Sequence, residues 1–281
     1  MVMLFTKMHG ISNDYVYVNG FKESVANPSD VAVKVSDRHT GIGSDGLVLI
    51  LPSDSCDFRM RMFNSDGSEA EMCGNASRCV GKYVYDNGLT HKTCVSLETK
   101  AGVKVLNLHL GPDGKVNTVT VDMGEPVLTP RLVPVACNLP QVVGLPIRVL
   151  GTDYRFTAVS MGNPHAVIFL DESVENFPLE KVGPSFENHG FFPNRTNTEF
   201  VNVINRQTLR MRVWERGAGE TMACGTGACA TAVAAILNGL SERKVTVRLN
   251  GGDLLIEWDE VSNHVFMTGG ATTVFSGSID V

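Results

Sequence analysis

One segment occurs twice in this chain, and it constrains the possible fold more than anything else in the sequence. Residues 58–89 read FRMRMFNSDGSEAEMCGNASRCVGKYVYDNGL, and residues 209–240 read LRMRVWERGAGETMACGTGACATAVAAILNGL. A shift of 151 positions superposes them without a gap and gives nine identities, where roughly two are expected by chance at ordinary composition. Shared are the Arg-Met-Arg runs at 59–61 and 210–212, Glu69 with Glu220, Cys73-Gly74 with Cys224-Gly225, and the Asn-Gly-Leu ends. Each copy reads as a strand, a Gly-rich loop, a Cys-Gly pair, a helix and a glycine stop.

The likeness continues on both sides. Asn13 opens a β-rich run after Lys7-Met8-His9-Gly10, and Asn163 opens another after Val159-Ser160-Met161-Gly162. Residues 43–50 (GSDGLVLI) resemble 197–204 (NTEFVNVI), residues 99–102 correspond to the hairpin at 249–252, and 121–124 correspond to 266–269. A unit of this length is far longer than a solenoid repeat, so the reading is a duplicated domain. Elsewhere the pattern alternates. Phe58, Met60 and Met62 are interleaved with Arg59 and Arg61, and Val245, Val247 and Leu249 with Thr246 and Arg248, as half-buried strands require. The four duplicated arginines then read as a solvated strand face.

Residues 225–238 contain no charge; a helix apolar on every side is a buried one. Further helices are expected at 29–35 and around 179–187. The fold class is therefore α+β: two similar halves, each a curved, barrel-like, mainly antiparallel sheet around a central helix. Residues 1–123 with 270–281 form the expected first half, and 124–269 the second.

A chain of 281 residues with 43% hydrophobic and 19% charged residues has a globular composition. Its net charge of −6 and lack of a long basic run argue against nucleic acid as a partner. No apolar run reaches the roughly 20 residues of a membrane span, and no secretory signal is visible. A cytoplasmic protein acting on a small molecule is expected, with a homodimer as an open option. The seven cysteines lack paired zinc-ligand spacing, so no metal is expected. Cys56, Cys79, Cys94, Cys137 and Cys229 read as small buried hydrophobes. The GIGSDG run at 41–46 precedes a strand rather than a helix, which removes the context for dinucleotide binding.

Cys73 and Cys224 stand apart. A cysteine at a helix N-terminus lies in the positive end of the helix dipole, which favours thiolate. The adjoining N–H groups of 74–75 and 225–226 suit a carboxylate. If the halves face each other, one thiolate would remove an α-proton from one face of a substrate while the other thiol protonates the opposite face. Two opposed thiols would also be open to oxidation to a disulfide. An acyl-transferring enzyme with a single cysteine nucleophile remains open, as does an amino-acid binding module.

The stretches KMHGISND, TGIGSDG, FNSDGSEAEMCGNASRC, VSMGNPH and ERGAGETMACGTGAC, in this order, resemble the diaminopimelate epimerase family over essentially the whole chain. The resemblance implies cofactor-independent interconversion of LL- and meso-2,6-diaminopimelate in lysine and cell-wall precursor synthesis. Carried over by position, Cys73 and Cys224 would be the catalytic thiols, with His165 assisting the first and Glu215 the second. Gly74, Asn75, Gly225 and Thr226 would offer backbone N–H groups to the reacting carboxylate. Arg216 would pair the distal carboxylate, and Asn13, Asn64, Asn163 and Asn197 would complete the substrate shell. Two departures stand out. Gly46 occupies a position where the family commonly has Gln, and Ala76 makes the first block CGNA rather than CGNG. Activity is expected to survive both. Racemisation of proline or hydroxyproline uses the same two-thiol logic, but those substrates lack a second amino-acid head for Arg216 to hold.

Overall fold

The structure is a computed structural model describing residues 2–281. The chain divides into two compact units, Met1–Asp122 with Thr268–Val281, and Met123–Met267.

The first unit runs β1 (Val2–Gly10), β2 (Asn13–Asn19), α1 (Pro28–Ser36), β3 (Gly46–Leu51), β4 (Phe58–Asn64), β5 (Glu69–Ala70), α2 (Gly74–Asp86), β6 (Cys94–Thr99), β7 (Gly102–Leu110) and β8 (Val116–Asp122). The second runs β9 (Leu145–Val149), β10 (Thr152–Ser160), β11 (Pro164–Phe169), α3 (Leu179–Glu187), β12 (Asn197–Asn205), β13 (Thr208–Glu215), β14 (Gly219–Glu220), α4 (Gly225–Leu237), β15 (Lys244–Leu249) and β16 (Gly252–Trp258). β17 (Val265–Gly270) carries the chain back to the first unit, where β18 (Thr272–Asp280) pairs with β1.

Both units are curved sheets packed around a helix, as the duplicated pattern predicts. In each, most neighbours are antiparallel and two pairs are parallel: β2 with β3 and β4 with β6 in one, β11 with β12 and β13 with β15 in the other. The two-residue hairpins fall where expected, closing Thr99 on Gly102 and Leu249 on Gly252. Both central helices stop at a left-handed glycine, Gly88 at φ 70° and Gly239 at φ 71°, a conformation that costs glycine little.

Strand register refines one correspondence drawn from the sequence. Leu47 pairs with Phe63 and Thr198 with Trp214, so the offset of 151 (198 − 47 and 214 − 63) holds across both ladders. Position 46 therefore matches Asn197, three residues from the alignment of GSDG with NTEF. One strand earlier, Val16 pairs with Leu47 and Ala166 with Thr198, which matches Tyr15 to His165.

The charge-free helix α4 is the hub of its unit. Residues from Gly225 to Ala235 are buried except Thr226, and the helix packs on β10, β11, β12, β13, β15 and β16. Its small residues let those strands approach closely. Burial of Val233 alone is worth about 1.5–3 kcal/mol, and Ala232→Glu would place an unpaired charge there at a cost of several kcal/mol. α2 packs on β1, β2, β7 and β8; its polar stripe is used locally, with Lys82 and Asp86 paired at 2.7 Å.

Cys79 and Cys229 are buried, as expected of core thiols, and burial pushes Cys79 up to about 11. Cys94 is not buried, and Cys56 and Cys137 are only partly so. Cys94 starts β6, where the pleat turns it outward while Val95 and Leu97 point in.

Candidate active site

Cys73 and Cys224 are the N-cap residues of α2 and α4, both extended, at φ −140° and φ −121°. Gly74 and Asn75, and Gly225 and Thr226, then fill the first two helical positions, whose N–H groups have no carbonyl partner within the helix. The twofold Cys-Gly block thus builds two copies of one local device, a thiol beside two outward-facing amides.

In the first unit, the Cys73 thiol donates to Asn13 Oδ1 at 3.4 Å, and Asn75 Nδ2 donates to the same oxygen at 3.3 Å. Asn13 Nδ2 donates to Asp45 Oδ2 at 2.8 Å, which turns the amide oxygen toward the thiol. Asp45 also accepts from the Asp14 N–H at 3.1 Å and from Arg38 at 3.1 Å. Burial, then the charge of Asp14, pushes the Asp45 carboxyl up. β1 must pass close to α2 here: a Cβ on Gly10 would lie 2.9 Å from the Asn75 carbonyl oxygen. Asn64 ends β4 and bonds Ser68 Oγ at 3.0 Å across a tight turn.

The second unit surrounds Cys224 with acids. Thr226 Oγ1 lies 3.6 Å from the thiol sulfur, and the Gly227 N–H bonds it. Glu215, at the end of β13, accepts from Thr221 Oγ1 at 2.5 Å. Glu199 on β12 is fully buried, with Oε1 at 2.7 Å from His165 Nδ1. His165 Nε2 lies 3.0 Å from Asn163 Oδ1. The parallel register places His165 opposite Asn197, with Glu199 two residues on and on the same face.

This environment reverses the expectation from helix position alone. Burial pushes the Cys224 thiol well above its ordinary value, and the charges of Glu215 and Glu199 add to the effect. The bonds from Thr226 and the Gly227 N–H act the other way and are outweighed. Cys224 is 5% exposed, so water does little to solvate a thiolate there.

The expected substrate residues differ in what they do. Asn197 is spent internally, its Nδ2 donating to the Pro164 carbonyl at 2.8 Å and its Oδ1 accepting from the Arg216 N–H at 2.9 Å. It fixes the backbone beside Glu215. The Arg216 side chain is exposed and donates to the Asn194 carbonyl at 3.1 Å. Gly46 lies opposite Asn64, and a Cβ there would sit 2.0 Å from the Phe63 carbonyl oxygen. This backbone has no room for a side chain there.

The duplicated arginines are not all a solvated face. Arg61 Nε meets Glu69 at 2.7 Å, and Arg212 meets both oxygens of Glu220 at 2.8 Å. These pairs tie β5 and β14 to their neighbours just before each cysteine. Sequence reasoning overlooked Asp45, Glu199 and Thr221. Asp45 lies in the quoted TGIGSDG stretch, and Thr221 three residues before Cys224. Glu199 carried no clear signal, since Asn197 and Thr198 beside it are polar too, and only the structure shows that β12 begins with five buried residues. No helix among the described residues is long and apolar enough to cross a membrane, and none of their His, Cys, Asp or Glu side chains cluster as a metal site.

The fold and site define a class of duplicated α+β proteins in which a cysteine caps each central helix. The fold is shared with a hydroxyproline epimerase from Agrobacterium vitis, at TM-score 0.69 and 16% identity over 99% of this chain and 91% of that one. It is also shared with a phenazine biosynthesis protein of the PhzF family from Bacillus anthracis, at TM-score 0.70 and 14% identity over the full length of both. The family model for diaminopimelate epimerase matches residues 5–129 and 157–274. Diaminopimelate epimerase of Acetivibrio thermocellus is 63% identical over 279 residues, 99% of each chain. That of Methanococcus maripaludis strain C5 is 60% identical over 279 residues, 99% of this chain and all of the other. The chain belongs to the diaminopimelate epimerase family.

Proposed function

We propose that this chain interconverts LL- and meso-2,6-diaminopimelate by proton transfer at one α-carbon, with Cys73 and Cys224 as the two acid–base groups. The observation that carries the reading is the matched pair of N-cap cysteines, each beside two N–H groups free of intrahelical bonds. Inversion needs a base on one face of the α-carbon and an acid on the other. A thiolate removes the α-proton, a thiol supplies the replacement, and the roles exchange when the product reacts in reverse. The N–H groups of Gly74, Asn75, Gly225 and Thr226 hold the α-carboxylate and stabilise the charge that spreads onto it. His165 and Glu215 tune the thiols, Arg216 takes the distal carboxylate, and Asn13, Asn64, Asn163 and Asn197 shape the remainder of the site. Side chains supply both proton carriers, so the reading calls for no cofactor.

The protein is read as a cytoplasmic enzyme of lysine and peptidoglycan precursor synthesis whose only ligand is a small molecule, with a homodimer as the assembly to be tested by light scattering. The activity is tested with LL-diaminopimelate, L-proline and trans-4-hydroxy-L-proline in separate reactions, following chirality by chromatography. Only the first should be inverted. Turnover of the proline compounds with none of diaminopimelate would overturn the assignment.

A further inference from the structure

The second unit holds a buried acid that the fold does not need. Glu199 matches Val48 of the first unit by register, since Val48 pairs with Met62 and Glu199 with Val213. Val48 is fully buried and apolar. The neighbouring exchange is Tyr15 to His165, and at the third position of the central helix Ala76 gives way to Gly227. The three changes fit together. A Cβ on residue 227 would lie 2.7 Å from Glu199 Oε1 and 3.1 Å from Cys224 Sγ. Glycine at 227 therefore makes the room in which a carboxylate oxygen, a thiol and an imidazole share one dry space.

The pair is also aimed. Both ring nitrogens of His165 face oxygens, Nδ1 toward Glu199 and Nε2 toward Asn163. Nδ1 is placed to donate to Glu199, and a carboxylate there fixes the ring as carboxylate–histidine pairs do elsewhere. Glu199 Oε2 has no hydrogen-bond partner among the described residues. An unsatisfied buried carboxylate oxygen is expensive, and Val48 shows that the same position is served by an apolar residue.

We infer that Glu199 is a positioning residue of the Cys224 site: it holds the His165 ring in one orientation and, through the gap opened by Gly227, sets a carboxylate beside the Cys224 thiol. The inference rests on the proton-transfer reading for its catalytic consequence, but not for its effect on the thiol. The acidic groups facing Cys224 are Glu199 from β12 and Glu215 from β13, with His165 from β11 beside Glu199. Burial pushes the Glu199 carboxyl up and His165 opposes this. The pair carries one negative charge when His165 is neutral beside an ionised Glu199, and none once either partner takes up a further proton.

The test is Glu199→Gln, which keeps an oxygen for His165 Nδ1–H and removes the charge. Alkylation of Cys224, followed by peptide mass spectrometry across pH and without substrate, reads the thiol directly. The midpoint should fall by about one pH unit when a neighbouring carboxylate is lost. In turnover, kcat should fall about 10- to 100-fold with a shifted pH profile, and KM should stay within about threefold. An unchanged alkylation midpoint together with a superimposable kcat–pH profile overturns the inference. If the unmodified protein fails to invert diaminopimelate, the proton-transfer reading falls while the alkylation result still decides the role of Glu199. Should the variant not fold, nitrogen NMR of the unmodified protein decides. The inference requires a protonated, exchange-protected His165 Nδ1, and a bare or freely exchanging Nδ1 overturns it.

Discussion

Arg212 and Glu220 form a two-point ion pair, guanidinium Nε and Nη2 each 2.8 Å from a separate carboxylate oxygen. The remaining nitrogen, Nη1, donates to the carbonyls of Val174 at 2.8 Å and Phe177 at 3.0 Å. Arg61 and Glu69 repeat the pair in the first unit through a single 2.7 Å bond, with no such carbonyl anchors among the described residues. Both hold the short strand ahead of a cysteine N-cap. Arg212→Ala should cost about 2–3 kcal/mol, because it also strands carbonyls and a half-buried acid. Arg61→Ala should cost less, about 1 kcal/mol, because it breaks one ion-pair bond to a half-buried acid and strands no carbonyl. Urea unfolding of the two variants checks the ordering, and equal costs would refute it.

Gly46 tests the backbone route into the first half-site. The carbonyl oxygen 2.0 Å from an added Cβ belongs to Phe63 on the paired strand, so it cannot swing aside as a side chain would. Gly46→Ala should destabilise the protein by about 2–3 kcal/mol, in the upper range for overpacking. Gly46→Gln should do no better. Thermal unfolding of both variants is the check; a neutral Gly46→Ala would show that the strand relaxes freely.

The strands β4 and β13 and the two central helices were legible in the sequence because each rests on a local signal: alternation for β4 and β13, absence of charge for α4, Asn-Gly for the helix ends. The two cysteines and their amides were legible for the same reason. What surrounds Cys224 was not. Whether a thiol at a helix N-terminus ionises depends on competition between the dipole and burial beside acids. Glu199 lies 25 residues before Cys224 in the chain and reaches it only through strand register. Asp45 was hidden in the same way, since its bond to Asn13 spans two strands. The misassigned match of GSDG to NTEF has a simple cause: both are polar loops entering strands, and only the ladders fix which residue opposes which.

Asp57 provides a pH-dependent check on the join between β4 and β6. The Lys92 ammonium, then the Ser96 N–H, lowers its carboxyl to about 2. A carboxyl depressed in the folded state stabilises above its unfolded value of about 3.9 and loses that contribution as pH falls toward the folded value. Asp57→Asn should therefore cost a few tenths to about 1 kcal/mol at neutral pH, limited by solvent screening at this largely exposed pair. The difference from the unmodified protein should shrink between about pH 4 and pH 2. Denaturant unfolding at several pH values measures it; a gap that widens on acidification has the wrong sign.

The two-thiol chemistry itself is tested most directly by single-cysteine variants in deuterated water. The unmodified protein should convert LL-diaminopimelate to the meso form with solvent deuterium at the inverted α-carbon. Cys73→Ala and Cys224→Ala should each lower inversion by at least about 100-fold, the lower bound for removing a general acid or base, while circular dichroism confirms an intact fold. Inversion with deuterium uptake that persists at the unmodified rate in either variant would contradict the assignment of Cys73 and Cys224 as the paired proton carriers.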